Sequence, residues 1–404
     1  MKRFFFLSLL VMGLVFSAAA QEAETTTISG LSEEGLLIFK SDDGKFQFML
    51  DGRINLAAAV YSSHDNPISN GTEVRRARLG LKPKWGNWEA QFDIDFAGNE
   101  VDVKDMWVGY NGFKNTMITF GNHKSQFSLE EVTSSRYITF LERGLPNAFA
   151  PDRRLGISVA HWGKNWRVFA GLFGEEAGSL DEETGENEAL NYNFRLNYLP
   201  LLTDNGFIHL GGSYGHSTPF ANDEGRVRFR ARPETHVADN RFLHTGWIDA
   251  DSWDQFGLEL ATSVGPVLLQ GEYMATSVNQ IEGLPKANFS GYYAFASWML
   301  TGEKRPYNVS EGEPAGPIHP KNKKLGAIEL VARISNLNLN DMDTEIMGGK
   351  ANNITVGLNW RPYANFRFIL NYTFVNLDEF ATGNGDYTGN DDFRILQGGF
   401  YFSF

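Results

Sequence analysis

The chain of 404 residues contains no cysteine, so disulfides add nothing to its stability and thiol chemistry is excluded. After the first twenty residues there is no run of eighteen consecutive apolar side chains, so no later segment is expected to cross a bilayer as a helix. Long segments of helical period are lacking too, which argues against an ordinary soluble two-domain enzyme. Gly-x-Ser-x-Gly, His-Glu-x-x-His and a Walker phosphate loop are all missing. The eight histidines (His64, His123, His161, His209, His216, His236, His244 and His319) show no tight ligand spacing. The chain is therefore read as no enzyme, with no cofactor and no metal. The oxygen-rich stretches Asp249–Asp254 and Asn384–Asp392 do not follow the twelve-residue calcium-loop spacing and read as solvated acidic loops.

What is present begins with Met1-Lys2-Arg3, a thirteen-residue, largely apolar run from Phe4 to Phe16, and Ser17-Ala18-Ala19-Ala20 before Gln21. A charged start, a short apolar stretch and small residues at the end read as a signal peptide over 1–20. Residues 21–45 are then a periplasmic lead-in, and 46–404 form the principal domain. Glycine is frequent (42), and aromatics reach 14% with 32 phenylalanines, a profile of many short strands joined by tight turns. The formal charge of −13 becomes −15 once Lys2 and Arg3 leave with the signal, because residues 1–20 hold no acid. Acids and arginines are segregated: Glu175 to Glu188 carries seven acids and no base, whereas Arg226 to Arg241 carries five arginines against Glu234 and Asp239.

The dominant signal is alternation. Phe46, Phe48, Leu50, Ile54 and Leu56 oppose Gln47, Asp51, Arg53 and Asn55; Phe366, Phe368, Leu370, Tyr372 and Phe374 oppose Arg367, Asn371 and Thr373. The apolar faces last about ten residues and end in aromatics, which fits lipid outside and water inside. About sixteen such segments occur between 46 and 404, the last ending in Phe400, Phe402 and Phe404 on one face. Short turns at 86–87, 163–164, 265–266 and 362–363 alternate with long connections at 61–72, 125–152, 174–188, 218–251 and 378–391. The expected fold is all-β: a transmembrane barrel of about 16 antiparallel strands, short periplasmic turns and long outer loops. One connection breaks the rule. The stretch 302–323 is long, rich in Pro and Gly, and counts to the periplasmic side, so it is either an unusual turn or a sign of a miscounted strand.

Within the segment 218–251, Arg226, Arg228, Arg230 and Arg232 recur at every second residue. In extended chain this puts four guanidiniums on one face, a step of ~6.7 Å apart. They cannot shed protons to relieve their repulsion, so the row suggests an anionic partner. The bland reading is a solvated basic loop touching lipid headgroups.

Several stretches, collinear over nearly the whole mature chain, resemble the phosphate-selective porin family of the porin O and P type. They are Leu50-Asp-Gly-Arg-Ile54, Glu73-Val-Arg-Arg-Ala-Arg-Leu-Gly-Leu81, Asp93-Ile-Asp-Phe-Ala-Gly98, Lys104-Asp-Met-Trp-Val-Gly-Tyr110, Gln126-Phe-Ser-Leu-Glu-Glu-Val-Thr-Ser-Ser135, Phe140-Leu-Glu-Arg-Gly144, Ser297-Trp-Met-Leu-Thr-Gly-Glu303 and Glu329-Leu-Val-Ala-Arg333. The resemblance implies a homotrimer of sixteen-stranded barrels in the Gram-negative outer membrane, in contact with its lipids. It also implies inward-folded loops and an arginine ladder leading phosphate, polyphosphate or other small anions to a lysine-containing constriction; nucleic acid is not an expected partner. Matching positions are Arg53, Arg75, Arg76 and the Arg226–Arg232 row, with Arg241 as an extension. The loop 125–152 counts as the third outer loop; Lys124 opens it, and Arg136 and Arg143 lie inside it. Lys124 is the candidate constriction lysine, with Asp95 or Asp105 as the nearby acid; a plain salt bridge is the equal alternative for Lys124. Strict alternation puts Arg76 and Arg78 inward but Arg75 outward, so both arginines of the pair facing the lumen requires a bulge or slipped register. Two competing classes remain: a structural or adhesin barrel, and a barrel hydrolase using a histidine such as His161 or His209, each with a non-conducting lumen.

Overall fold

The computed structural model describes residues 26–31, 37–62, 65–177, 189–220 and 223–404. The signal peptide over 1–20, His64 and residues 178–188 of the acidic run lie outside the described residues. Alternation yields sixteen antiparallel barrel strands. They are β1 (Phe46–Ser62), β2 (Gly71–Trp85), β3 (Trp88–Asp95), β4 (Asp102–Tyr110), β5 (Thr116–Lys124), β6 (Arg153–Trp162), β7 (Trp166–Phe173) and β8 (Asn191–Thr203). The second half comprises β9 (Gly206–Ser217), β10 (Ile248–Val264), β11 (Val267–Gln280), β12 (Ala287–Met299), β13 (Ala327–Asp341), β14 (Ile346–Tyr363), β15 (Phe366–Leu377) and β16 (Phe393–Ser403). Each pairs with its neighbours in sequence, and β16 pairs with β1 from Arg394↔Ser62 to Ser403↔Arg53, so the sheet closes. Closure removes the exposed strand edge.

The last strand and the described part of the lead-in meet at one end of the barrel. Phe404 exchanges backbone hydrogen bonds with Gly52, 2.8 and 3.0 Å. Just beyond, Leu37–Ser41 takes over the same edge of β1, from Leu37↔Leu50 to Lys40↔Gln47, and pairs in turn with Thr26–Leu31. The last strand and the lead-in thus share β1 end to end.

Burial is inverted relative to a soluble protein. On β8, Asn191, Asn193, Arg195 and Asn197 are buried while Phe194, Leu196 and Tyr198 are about half exposed. On β14, Asn353, Thr355 and Asn359 are buried, whereas Ile354, Val356, Leu358 and Trp360 face out. A continuous outer surface of this kind is unstable in water and stable in hydrocarbon. Trp85, Trp88, Trp298, Trp360 and Tyr363 are exposed near the end that carries the termini, where an aromatic girdle belongs.

The connection 300–326 joins two long strands at this same end, so it is a true turn-side connection and the strand count stands. It does not hang outside. Arg305 reaches Glu329 on β13 at 2.6 Å, Tyr307 reaches His209 on β9 at 2.6 Å, and the Gly312 carbonyl accepts from Arg195 on β8 at 2.9 Å. The segment has folded up into the lumen. From the opposite end, 125–152 and 223–247 fold in as well. Phe229 packs against Phe149 and Phe289, with ring centroids 5.5 and 5.9 Å apart, and joins a buried cluster with Met274, Val278, Leu337, Leu377 and Phe393. The inner wall is therefore apolar where loops lie against it, and the expectation of water along the whole inner face holds only in part.

Candidate anion pathway

The loop 125–152 is organised by one turn of helix, α1 (Leu129–Val132), held across the lumen at both ends. At its start Ser128 accepts from the Glu131 amide at 3.2 Å, and the Glu272 carboxylate on β11 receives Ser128 Oγ at 2.9 Å and the Glu130 amide at 3.2 Å. A carboxylate at a helix start and cations at its end are the favourable arrangement. The cations are Lys124 and Arg143. Lys124 Nζ donates to the Glu131 and Val132 carbonyls and lies 3.7 Å from the Glu131 carboxylate. Arg143 donates to the carbonyls of Glu130 (2.8 Å), Glu131 (3.3 Å) and Thr133 (3.1 Å). Of the two readings open for Lys124, this geometry is that of a salt-bridged, carbonyl-bound side chain.

The register of β1 and β2 decides the arginine pair. Asn55 pairs with Arg76 and Leu56 with Val74, so Arg75 is the extra residue of a β-bulge. Strict alternation had sent Arg75 outward; the bulge turns it in. Arg75 grips Glu142 of the loop with a two-pronged contact, 2.6 and 3.0 Å, while Arg76 is 3% exposed with no ion pair among the described residues. Below them, Arg53 donates to Ser135 Oγ at 2.8 Å and lies 3.6 Å from Asp93, and Arg136 meets Asp51 at 3.0 Å. Gly80 leaves room for this: a Cβ there would sit 2.3 Å from an Asp93 oxygen and 2.5 Å from an Asp51 oxygen. The two candidate acids part company. Asp95 is held by Arg78 at 2.6 Å and by the amides of Ala77 and Ala97, whereas Asp105 pairs with Arg153 at 2.8 Å.

The arginine row keeps its alternation although only Arg226–Val227 and Arg230–Ala231 form short strand pairs. Val227, Phe229 and Ala231 are buried against the wall, and the four guanidiniums lie on the other face, each partly exposed. Arg226 pairs with Glu224 at 2.7 Å. Arg232 and Arg241 share the single carboxylate of Asp239. Arg228 and Arg230 have no ion pair among the described residues; Arg228 stacks over Trp247, 4.1 Å from its ring centre. Burial, then Arg228, push the Arg230 guanidinium down, and burial, Arg232 and Arg230 push Arg241 down to about 10. The row repels itself, a repulsion that an anion placed beside it would relieve.

Sequence reasoning did not find the clusters that fill the lumen. Arg305 and Arg361 converge on Glu329, at 2.6 and 2.9 Å. Arg195 binds Glu259 through two 2.8 Å contacts, and His209 bridges Glu259 (3.0 Å) to Tyr307 (2.6 Å). His161, the other histidine considered for a hydrolase, lies at 2.8 Å from Thr116 Oγ1. The available signal was the inner-face parity of Arg361 and Arg367, which says that they point in but not what they meet.

Comparison with known proteins gives one family. The sequence model described as "Phosphate-selective porin O and P" matches residues 48–404. Porin O of Pseudomonas aeruginosa is 27% identical over 450 residues, covering 97% of this chain and 98% of that protein. Among solved structures, outer-membrane expressed OmpT of Vibrio cholerae aligns with a TM-score of 0.58 at 11% identity, over 91% of this chain and 100% of that one. An anion-selective porin from Comamonas acidovorans aligns at 0.56 and 13% identity, over 89% and 100%. Those two likenesses speak for the barrel; the family match speaks for the sequence. The chain belongs to the phosphate-selective porin O and P family, porins of the Gram-negative outer membrane.

Proposed function

We propose that the chain is a passive, anion-selective channel for phosphate or similar small oxyanions. The observation that carries this is the pair Arg228 and Arg230, partly exposed, without an ion pair among the described residues, and spaced along an extended segment. Guanidinium suits a phosphate because its fork gives two parallel charge-assisted hydrogen bonds. At an effective dielectric near 20, one unit charge pair at 4 Å is worth about 4 kcal/mol before desolvation, enough to trap an ion. A row of similar, shallow sites lets the ion leave as easily as it enters. In a planar bilayer under a KCl gradient, the reversal potential should be that of an anion channel, and added phosphate should block chloride current. Substituting Arg228→Gln and Arg230→Gln together should weaken both effects; an unchanged reversal potential refutes the role of the row.

The segments 125–152, 223–247 and 300–326 all fold into the lumen, which favours one competitor, a structural barrel that conducts nothing. Absence of any single-channel current would select it.

We also propose a homotrimer. Strands β3 to β7 have only 8, 9, 9, 10 and 8 residues, against 18 in β14. Eight residues at ~3.4 Å each, tilted ~40°, rise about 21 Å, less than the ~25 Å apolar band that lipid requires. A contiguous low wall suits burial against protein, and one Vibrio cholerae OmpT structure is described as a trimer form.

A further inference from the structure

We infer a second oxyanion site at the periplasmic end of the lumen, separate from the arginine row. It is a cavity of ≈ 30 Å³ between the inner wall, the loop 125–152 and the connection 300–326, lined by Arg53, Arg136, Arg305, Arg361 and Arg367. Five guanidiniums on one small cavity are unusual, because each must be neutralised or solvated when buried. Their carboxylates do not line it. Asp93 stands beside Arg53, Asp51 beside Arg136, and Glu329 serves both Arg305 and Arg361. Arg367 has no carboxylate among the described residues and donates to the Ile138 and Thr139 carbonyls and to Asn359 Oδ1 at 3.1 Å. Five guanidiniums stand against three carboxylates, and Lys82 shares Asp51 at 2.6 Å, so the cluster keeps an excess of positive charge that a hydrogenphosphate or sulfate dianion would offset.

Donors are available as well as charge. The Nε atoms of Arg53, Arg136 and Arg305 are buried without a hydrogen-bond partner among the described residues, and Arg53 and Arg305 are themselves only 6% and 7% exposed. A buried unpaired donor is costly, so the cavity is under pressure to acquire an acceptor. Its size restricts which one. A water needs about 10–15 Å³ of such space, so the cavity admits a few waters or one small oxyanion and is too small for a polyphosphate chain. It lies inside the wall, away from lipid phosphate. The site shares Arg53 and Arg136 with the pathway proposed above and so deepens that reading, but its own residues are Arg305, Arg361 and Arg367.

The test separates the two. Radiolabelled inorganic phosphate is equilibrated by dialysis with the full-length mature protein in detergent, comparing wild type with Arg361→Gln/Arg367→Gln and with Arg228→Gln/Arg230→Gln. Loss of two charged donor groups should weaken the cavity class of sites about tenfold or more in the first variant and leave it intact in the second. To guard against misfolding of the first variant, crystals of the wild type are soaked in selenate and the anomalous signal is mapped. A peak among Arg305, Arg361 and Arg367 supports the inference. Undiminished phosphate binding in a folded Arg361→Gln/Arg367→Gln protein overturns it, and so does a cavity without a selenate peak. Unchanged selectivity in the Arg228→Gln/Arg230→Gln channel would sink the channel reading while leaving a cavity peak to stand on its own.

Discussion

Arg75 and Glu142 tie the bulged wall to the loop 125–152 with a fork that is 2.6 and 3.0 Å long. Burial alone would raise the Glu142 carboxyl; Arg75, and behind it Arg76, hold it down to about 2 against an ordinary 4.5. A carboxylate depressed in the folded state stabilises above its unfolded pKa and loses that contribution as pH falls through the folded one. The tie should therefore be fully present above about 4.5 and weaken as pH drops toward about 2. Open-channel noise in single-channel records is expected to rise over that window as the loop loosens. In Glu142→Gln the noise should be high at neutral pH and independent of acid, since the charge-assisted contact, worth about 2 kcal/mol, is already gone. Noise that stays flat in wild type down to pH 3 would show that the fork does not hold the loop.

At the scale of the element, the connection 300–326 depends on a few polar anchors: Arg195, Glu259, His209, Tyr307 and Gly312 form one buried chain from the wall to the segment. Glu259→Ala leaves Arg195 buried without its carboxylate and unties His209, a loss of about 3 kcal/mol by the usual cost of breaking a buried pair. The segment should then become cleavable by protease added from the periplasmic side at Lys304 and Lys321, with a larger conductance; Tyr307→Phe, which removes one neutral hydrogen bond, should show a smaller change. Equal resistance of all three proteins would place the anchoring elsewhere. The strands themselves were legible because lipid on one side imposes a period of two, and the sixteen segments expected from parity are those observed. Parity also placed Arg53 and Arg367 inward. It failed at Arg75, because a bulge is one residue of register that no alternation records. The partners inside were not legible either, since Arg75 meets Glu142 across 67 residues and Leu145 meets Ser335 across 190, contacts set by how loops fill a closed space.

For the whole molecule, the outer surface carries two different demands. Leu258 on β10 and Ile334 on β13 are 65% and 50% exposed on tall strands, whereas Val108 on β4 and Ile157 on β6 are 42% and 40% exposed on the low wall. If the tall strands face hydrocarbon, an arginine there costs about 2–4 kcal/mol near the midplane, and Leu258→Arg or Ile334→Arg should reduce assembly into membranes. If the low wall faces a second copy, Val108→Arg or Ile157→Arg meets protein and its own image instead. Like charges brought together by a rotation axis repel, so these variants should insert and fold yet migrate as monomers in unheated gels where wild type migrates as a trimer. The contrast is the content of the prediction, because each pair of variants controls for the other. Should Val108→Arg and Leu258→Arg both impair insertion alike, with the oligomer band unchanged, the low wall faces lipid and the barrel stands alone.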